Sequence, residues 1–185
     1  MADLSSVRDA PMLEGVTEEG LVELEAIARL EETTKGEQLF VRGEQAAKLY
    51  IVKEGAFSLT LPLRRLGNVL ELALEEKRSG DALGWSTLVA PYLSIYSCYC
   101  AVEGGLFSFE RGDLARLMSM DLDLGTRISI NLNQMIAGRL RLLQSLWLEE
   151  IEQSTARVDR WSQTEIGENL NAALHPPPKR RFTSG

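Results

Sequence analysis

The sequence predicts a mainly β fold: an antiparallel sandwich or barrel flanked by an N-terminal helix and a long C-terminal helix. Short apolar runs separated by glycines occupy residues 35–61, as expected for strands that meet at tight corners. Within this region, residues 56–61 alternate between apolar and small or polar side chains, which is typical of a half-buried strand. From residue 126 to Trp161 the chain has no proline and has apolar residues three or four positions apart, which predicts an amphipathic helix.

The N-terminal helix is predicted from a capping residue and a helical spacing of apolar residues. Thr17 is the expected N-cap. Leu21 and Leu24 continue the helical spacing, and the helix is expected to end at about Leu30. The sheet region is then predicted from about Lys35 to Phe109.

Four strands can be placed within the first half of the sheet region. Residues 38–41 and 49–52 are apolar runs followed by glycines, and residues 57–63 alternate. A polar segment at 64–68 predicts a hairpin turn into a further strand at 69–74.

After the sheet, Asp113 is the expected N-cap of a short helix, and residues 121–125 are expected to break it from the long helix. These observations predict three regions: a β-barrel domain at 13–125, a long helix at 126–161, and a proline-rich, flexible tail at 162–185. The long helix carries a stripe of apolar residues that predicts a homodimer through 126–161. The stripe contains Ile136, Leu140, Leu143, Trp147, Ile151, Val158 and Trp161.

Composition excludes several classes of protein. The chain has 185 residues, is 44% hydrophobic and 25% charged, and carries a formal net charge of −7. The negative charge argues against general binding to nucleic acid or to anionic membranes. No run of about 18 apolar residues predicts a membrane span, and the N-terminus lacks the pattern of a secretion signal. A cytoplasmic location is therefore expected.

Two glycine-bounded segments carry a family resemblance. Gly36-Glu37-x-Leu39-Phe40-x-x-Gly43-Glu44, followed by Leu49-Tyr50-Ile51-Val52-x-x-Gly55, resembles the opening of a cyclic-nucleotide-binding domain. This is the sensor of the catabolite-activator-protein family, of protein kinase A regulatory subunits and of gated channels. The resemblance implies a sensor domain whose fold is an antiparallel jelly roll (a double-stranded β-helix). Many bacterial members also carry a C-terminal DNA-binding helix-turn-helix, and this chain ends before one could fit.

The resemblance extends to the family's ligand cassette, here residues 80–97. The family wording is Gly-Glu-x-x-Gly-Glu-x-(Ala/Ser)-Leu, then a gap, then Arg-(Ser/Thr)-Ala. It implies backbone N–H groups and an arginine for the cyclic phosphate, and a glutamate for the ribose hydroxyl. Both glycines match, but Trp85 stands at the glutamate position and Tyr96 at the arginine position. The candidate ligand-binding residues are Gly80, Asp81, Gly84, Trp85, Ser86, Thr87, Tyr96 and Ser97.

The two aromatic replacements change the expected ligand. The nearest arginines along the chain, Arg78 and Arg111, lie outside the motif, and a buried phosphate without a cation is unfavourable by several kcal/mol. Binding of cAMP or cGMP at micromolar concentration is therefore not expected, and no cofactor is predicted. Trp85 could roof a pocket for a flat or apolar ligand of unknown identity. Alternatively, Trp85 and Tyr96 could simply fill the core of a lidded barrel.

The remaining reactive side chains do not predict catalysis. Cys98 and Cys100 lie two positions apart in a predicted strand, where they are expected to pack in the core as small apolar residues. Neither is expected to bind a metal, because the only histidine is His175 in the tail. No nucleophile elbow, Walker loop or dinucleotide-binding glycine motif is present. The chain is expected not to be an enzyme.

Two functions remain open. The first is a regulatory sensor module that responds to a small ligand or a protein partner through its C-terminal helix. The second is a ligand-free structural or interaction domain that forms a homodimer through that helix. A ligand would raise thermal stability by mass action in the first case and not in the second.

Overall fold

The computed structural model describes residues 2–65 and 68–162. Two short 3-10 helices, at Ser5–Val7 and Pro11–Leu13, precede the regular elements, and a third, the cassette helix, spans Trp85–Leu88. In chain order the regular elements are α1 (Glu18–Ile27), β1 (Arg29–Thr33), β2 (Gln38–Phe40), β3 (Lys48–Val52), β4 (Ala56–Arg65), β5 (Asn68–Lys77), β6 (Ala82–Leu83), β7 (Ser97–Val102), β8 (Gly104–Glu110), α2 (Arg111–Met120) and α3 (Leu122–Ser162).

The strands form two antiparallel sheets that pack face to face. The first sheet has the order β1-β8-β3-β6, and the second has the order β2-β7-β4-β5. The strands predicted at 38–41, 49–52, 57–63 and 69–74 correspond to β2, β3, β4 and β5. The structure therefore confirms the predicted jelly roll with its N-terminal and long C-terminal helices.

The first sheet contributes side chains to two cores, because successive side chains along β3 and β8 point to opposite faces of the sheet. Leu49 and Ile51 of β3 join the helical core, which lies between this sheet, the N-terminal segment and the three α-helices. Tyr50 and Val52 point the other way into the barrel core, which lies between the two sheets. The sheet is thus the wall that the two cores share.

The N-terminal boundary of the sheet is earlier than predicted. The Thr17 side chain accepts a hydrogen bond from the Gly20 N–H at 3.1 Å, which confirms the predicted N-cap. However, α1 ends at Ile27, and the next residues form β1, a strand that was not predicted. Leu30 pairs with Phe107 of β8, so cross-strand pairing prevails here over the helical spacing of apolar residues.

Residues before the predicted domain start at residue 13 also belong to the helical core. Leu4, Val7 and Met12 are each buried, with at most 2% of their surface exposed. The polar residues between them concealed this contribution in the sequence. The segment therefore stabilises the side of the first sheet that also carries the helices.

The short helix after the sheet begins two residues before the predicted cap. α2 starts at Arg111, its N-cap is Glu110, and no side chain caps it. The carboxylate of Asp113 instead accepts a hydrogen bond from Arg116 at 2.7 Å. The predicted break is also shorter, because only Asp121 separates α2 from α3.

α3 begins at Leu122 because Asp121 caps it. The Asp121 carboxylate accepts hydrogen bonds from the N–H groups of Asp123 and Leu124, each at 3.0 Å. Gly125 follows, and a Cβ placed there would lie 2.4 Å from the carbonyl oxygen of Met118. Glycine is thus needed for the close approach of α2 and α3.

The chain divides into two compact units between Ile136 and Ala137. The described part of the second unit is the remainder of α3, and several of its large apolar side chains are exposed. The predicted tail from residue 163 onwards, with His175, lies outside the described residues, as do residues 66–67 of the predicted hairpin turn.

Candidate functional site

The cassette begins with a tight turn against β3. Gly80 has φ +87° and donates its N–H to the Val52 carbonyl oxygen at 2.8 Å. The carboxylate of Asp81 accepts a hydrogen bond from the Arg78 N–H at 2.9 Å, which closes the turn. In this arrangement Asp81 stabilises the backbone locally.

Gly84 fixes the start of the cassette helix. Its φ of +70° is left-handed, and a Cβ there would lie 2.6 Å from the carbonyl oxygen of Lys48. Both features require glycine. Close packing of the cassette on β3 therefore explains why this position has the glycine of the family wording.

The cassette helix packs on the helical core. Trp85 and Leu88 are half-buried and contact the helical core, which includes Leu114 of α2 and Leu124 of α3. Between them, Ser86 and Thr87 are buried, and Thr87 is only 1% exposed. The residue at the family's ribose-binding position is therefore part of the helical side of the domain.

The second part of the cassette packs on the other core. Tyr96 is half-buried and contacts the barrel core. The Ser97 hydroxyl accepts a hydrogen bond from the Arg42 N–H at 3.1 Å, so it ties β7 to the chain after β2. Cys98 follows and faces the barrel core, so Ser97 faces the opposite side of the strand.

The eight predicted site residues thus divide between two environments. Gly84 and the cassette helix connect β3 to the helical core, whereas Tyr96 belongs to the barrel core. The alternative in which both aromatic residues fill the barrel holds for Tyr96, while Trp85 packs against the helical core. Neither replacement places a positive charge at the cassette.

Arg111 is outside the motif in the sequence, but in the structure it lies beside the cassette. Its guanidinium carbon is 4.8 Å from the centre of the Tyr92 ring, within the range of a cation–π interaction. The backbone N–H of Arg111 donates a hydrogen bond to the Ala47 carbonyl oxygen at 2.8 Å. Pairing of β8 with β3 brings these residues together, and no local motif signals that contact. The other nearby arginine, Arg78, forms a salt bridge with Glu76 at 2.5 Å.

A cluster of polar residues on the barrel side of the first sheet was also not predicted. Glu31 of β1 accepts hydrogen bonds from Lys48 of β3 at 2.6 Å and from Ser108 of β8 at 2.5 Å. Lys48 also lies 3.7 Å from a carboxylate oxygen of Glu110. Burial, followed by the charges of Glu31 and Glu110, raises the pKa of Tyr50 well above its ordinary value. Tyr50 therefore stays neutral at physiological pH.

The two cysteines are core residues, as predicted. Cys98 and Cys100 are free thiols in the barrel core, and the Cys100 thiol contacts the Thr33 hydroxyl at 3.5 Å. Burial, followed by the proximity of Cys100, raises the pKa of Cys98 to about 12. A thiol with so high a pKa is a poor nucleophile near neutral pH.

Residues 2–65 and 68–162 contain neither a candidate metal site nor a candidate membrane-spanning helix. In that part of the chain, no cluster of three or more histidine, cysteine, aspartate or glutamate residues has the proximity needed to hold a metal ion. None of the helices there combines the length and the apolar character that a bilayer-spanning segment requires.

Comparison with known proteins supports the fold. A cyclic-nucleotide-binding domain from Methylobacillus flagellatus KT superposes with a TM-score of 0.69 at 16% identity, covering 80% of this chain and 83% of that one. The catabolite activator protein of Thermus thermophilus gives 0.64 at 25% identity, covering 80% of this chain and 67% of that one. The regulatory subunit of a cAMP-independent protein kinase A from Trypanosoma brucei gives 0.55 at 18% identity, covering 73% and 49%.

These similarities confirm the predicted resemblance: the chain has the fold of a cyclic-nucleotide-binding domain like that of catabolite activator proteins. No family model matches the sequence. No curated protein matches it either. The similarity is therefore one of structure, with low sequence identity.

Proposed function

We propose that this chain, with its cyclic-nucleotide-binding fold, is a regulatory sensor module that acts in the cytoplasm and has no catalytic activity of its own. The observation that supports this proposal is the contact of Trp85 and Leu88 with the helical core to which Leu124 and Ile128 of α3 belong. A ligand or partner that displaces the cassette helix must disturb this core. The signal would then pass to the start of α3.

One of the neighbours is a precedent for a regulatory role that does not require cAMP. The kinase regulatory subunit from Trypanosoma brucei is described as belonging to a cAMP-independent enzyme. In the present chain Trp85 and Tyr96 replace the two residues that the family resemblance assigns to the ribose and the phosphate. We therefore propose that the input is a different small molecule or a protein.

The nucleotides provide the first test. Because no cation stands at the position of Tyr96, cAMP and cGMP should show no binding at concentrations below about 100 μM, equivalent to about −5.5 kcal/mol. Isothermal titration calorimetry with each nucleotide measures this directly. A micromolar dissociation constant for either would contradict the proposed loss of nucleotide recognition.

The second test searches for the input. A thermal melt of the full chain against a metabolite library should identify a compound that raises the melting temperature in proportion to the logarithm of its concentration. A hit that also changes hydrogen exchange at 122–136 would support a sensor linked to α3. A hit without that change would contradict the proposed route of the signal.

A second function is favoured by the packing of the two aromatic residues. Trp85 and Tyr96 each contact a core, which is consistent with a ligand-free domain whose role is structural. The thermal melt against the metabolite library distinguishes the two functions, since no compound is expected to stabilise a ligand-free structural domain. In both cases we propose a homodimer formed through residues 126–161, with no binding to nucleic acid or membrane.

The two cysteines support the cytoplasmic part of the proposal. Cys98 and Cys100 serve as apolar core residues with free thiols, a use that suits a reducing compartment. Fractionation of the cells that make this chain would test the location.

A further inference from the structure

A cleft of about 510 Å³ lies between the cassette helix and α2. This volume is within the range of roughly 300–1,000 Å³ that small-molecule sites occupy. We call it the α2 cleft; its walls include Thr87, Leu88, Tyr92, Arg111, Ala115 and Met118. Of these, only Thr87 was among the predicted site residues.

One wall of the α2 cleft contains a buried hydroxyl without a partner. Thr87 is only 1% exposed, and its Oγ1 has no hydrogen-bond partner in the described part of the chain. Leaving such a group unpaired is unfavourable. Unpaired buried polar groups are rare in native proteins. Because less than 1 Å² of this oxygen is exposed, an occupant of the cleft would pair with it only after the Thr87 side chain moved.

The lining of the cleft also supplies an uncompensated positive charge. Arg111 is exposed, stacks on Tyr92 and forms no salt bridge with any described carboxylate. The acidic residues next to it are already engaged, since Glu110 lies 3.7 Å from Lys48 and Asp113 contacts Arg116 at 2.7 Å. Arg111 also begins the ten-residue helix α2, whose N-terminal dipole adds to the positive potential.

The rest of the lining is apolar. Leu88, Ala115 and Met118 face the cleft together with the Tyr92 ring. A methionine side chain adapts to flat ligands. An arginine at the edge of such a surface recognises a carboxylate through paired hydrogen bonds.

We propose that the α2 cleft binds a small aromatic carboxylate, with its ring against Leu88 and Met118 and its carboxylate at Arg111. This goes beyond the proposed function, because it names a ligand class for a cleft that lies between the cassette helix and α2. Since Thr87 belongs to the cassette helix, an occupant would join that helix directly to α2.

The test is a titration of the full chain with 2-naphthoate, followed by the backbone amide signals in NMR spectra. We expect saturable shifts at residues 87–88 and 111–119 with a dissociation constant below about 1 mM. The uncharged 2-naphthamide should bind at least about tenfold more weakly, which corresponds to about 1.4 kcal/mol. No saturable shift, equal affinity for the amide, or shifts centred on Gly84 and Tyr96 would overturn the proposal.

Matched variants locate the charge. Arg111→Gln should weaken 2-naphthoate binding about tenfold. Arg78→Gln removes an exposed arginine that pairs with Glu76 and is outside the cleft lining, and it should leave the affinity unchanged. Equal losses in the two variants would show that the effect is general electrostatics and would overturn the proposed site.

A further variant fills the cleft without removing a contact. Gly112 also lines it, and a Cβ at that position meets no atom within 4 Å. Leucine is a better helix former than glycine, so Gly112→Leu should fold and should abolish binding. Unchanged affinity in a folded Gly112→Leu chain would overturn the proposal.

Discussion

At the scale of single residues, Trp85 links the cassette helix to the helical core, while Tyr96 extends the barrel core. In the family that the sequence resembles, the glutamate and the arginine at these two positions bind the same ligand. Here each aromatic side chain instead satisfies a different apolar environment. The cassette is thereby stabilised by the chain itself, which is the physical reason for proposing a nucleotide-independent module.

Replacing Trp85 by alanine should therefore weaken the helical side of the domain. A fully buried tryptophan contributes about 3–5 kcal/mol, and the half-buried Trp85 should contribute about 1–3 kcal/mol to the free energy of unfolding. Urea denaturation measures the loss, and hydrogen exchange should become faster at residues 122–136.

The matched control is Tyr96→Ala, which removes a half-buried aromatic side chain from the barrel core. It should lower the free energy of unfolding. After correction for this global loss of stability, hydrogen exchange at residues 122–136 should match that of the parent chain. Identical exchange patterns in the two variants would contradict the assignment of Trp85 to the helical core.

Glu31 should give the stability a distinct dependence on pH. Burial alone would raise its pKa, but hydrogen bonds from Lys48 and Ser108 and the charges of Lys48 and Arg29 lower it below the ordinary value of 4.5. The stabilisation is therefore complete above pH 4.5 and is lost as the pH falls through the folded-state pKa. Glu31→Gln should lower stability near neutral pH and flatten the decline in acid.

Urea denaturation at several pH values checks this prediction. Glu32→Gln, at the exposed neighbouring position of β1, is the control and should keep the acid decline of the parent chain. If Glu31→Gln and the parent lost stability in parallel below pH 4.5, the ion pair with Lys48 would not be the cause.

At the scale of elements, the sequence was informative where local signals and tertiary pairing agree. Glycines and alternating side chains placed β2 to β5, and Thr17 placed the start of α1. Prediction was wrong where pairing between distant segments decides the structure. Arg29 and Leu30 continue the helical pattern, yet they form β1 because β8 offers them partners.

The same limit applies to the candidate site. The glycines of the cassette were recognisable, because a left-handed φ and close packing leave few alternatives to glycine. The contact of Arg111 with Tyr92 was not, because it joins the start of α2 to the cassette through the fold alone. Contacts between segments that are distant in the sequence have no periodicity or spacing that a single sequence could reveal.

Two glycines of α3 provide a matched test of helix packing. A Cβ at Gly125 would lie 2.4 Å from the Met118 carbonyl oxygen, whereas a Cβ at Gly138 meets no atom within 4 Å. Gly125→Ala should push α2 and α3 apart and lower the free energy of unfolding by about 1–3 kcal/mol. Gly138→Ala should raise helix stability by about 1 kcal/mol.

Thermal and urea denaturation of both variants compare these effects. The opposite signs matter more than the magnitudes, because the two substitutions are chemically identical and lie in one helix. A stabilising Gly125→Ala would show that α2 and α3 adjust at low cost, and close approach would then not explain the glycine.

At the scale of the whole molecule, apolar surface remains exposed in each of the two units. In the first unit it lies on the β4–β5 hairpin, where Leu63, Leu70 and Leu72 are each close to half exposed. In the second unit it lies on α3, within the predicted stripe. Contiguous apolar surface of this kind marks contact sites between proteins more often than it marks free surface.

The apolar stripe on α3 is expected to form the contact between two chains. Leu140, Leu143, Trp147 and Ile151 repeat at intervals of three or four residues and expose 55%, 48%, 67% and 42% of their surface. Burying such side chains against an identical helix near a two-fold axis would stabilise a dimer by about 1.5–3 kcal/mol for each one fully buried. Multi-angle light scattering at about 100 μM should therefore report twice the mass of one chain.

Substitution along α3 identifies the face. Leu143→Glu with Trp147→Glu should yield monomers, because two carboxylates would then oppose their counterparts in an apolar contact. Leu142→Glu with Leu148→Glu also replaces exposed apolar residues by carboxylates. These positions lie one residue from the stripe and therefore on other faces of the helix, so the dimer should persist. A monomeric parent chain, or equal loss of the dimer in both variants, would contradict pairing through the stripe.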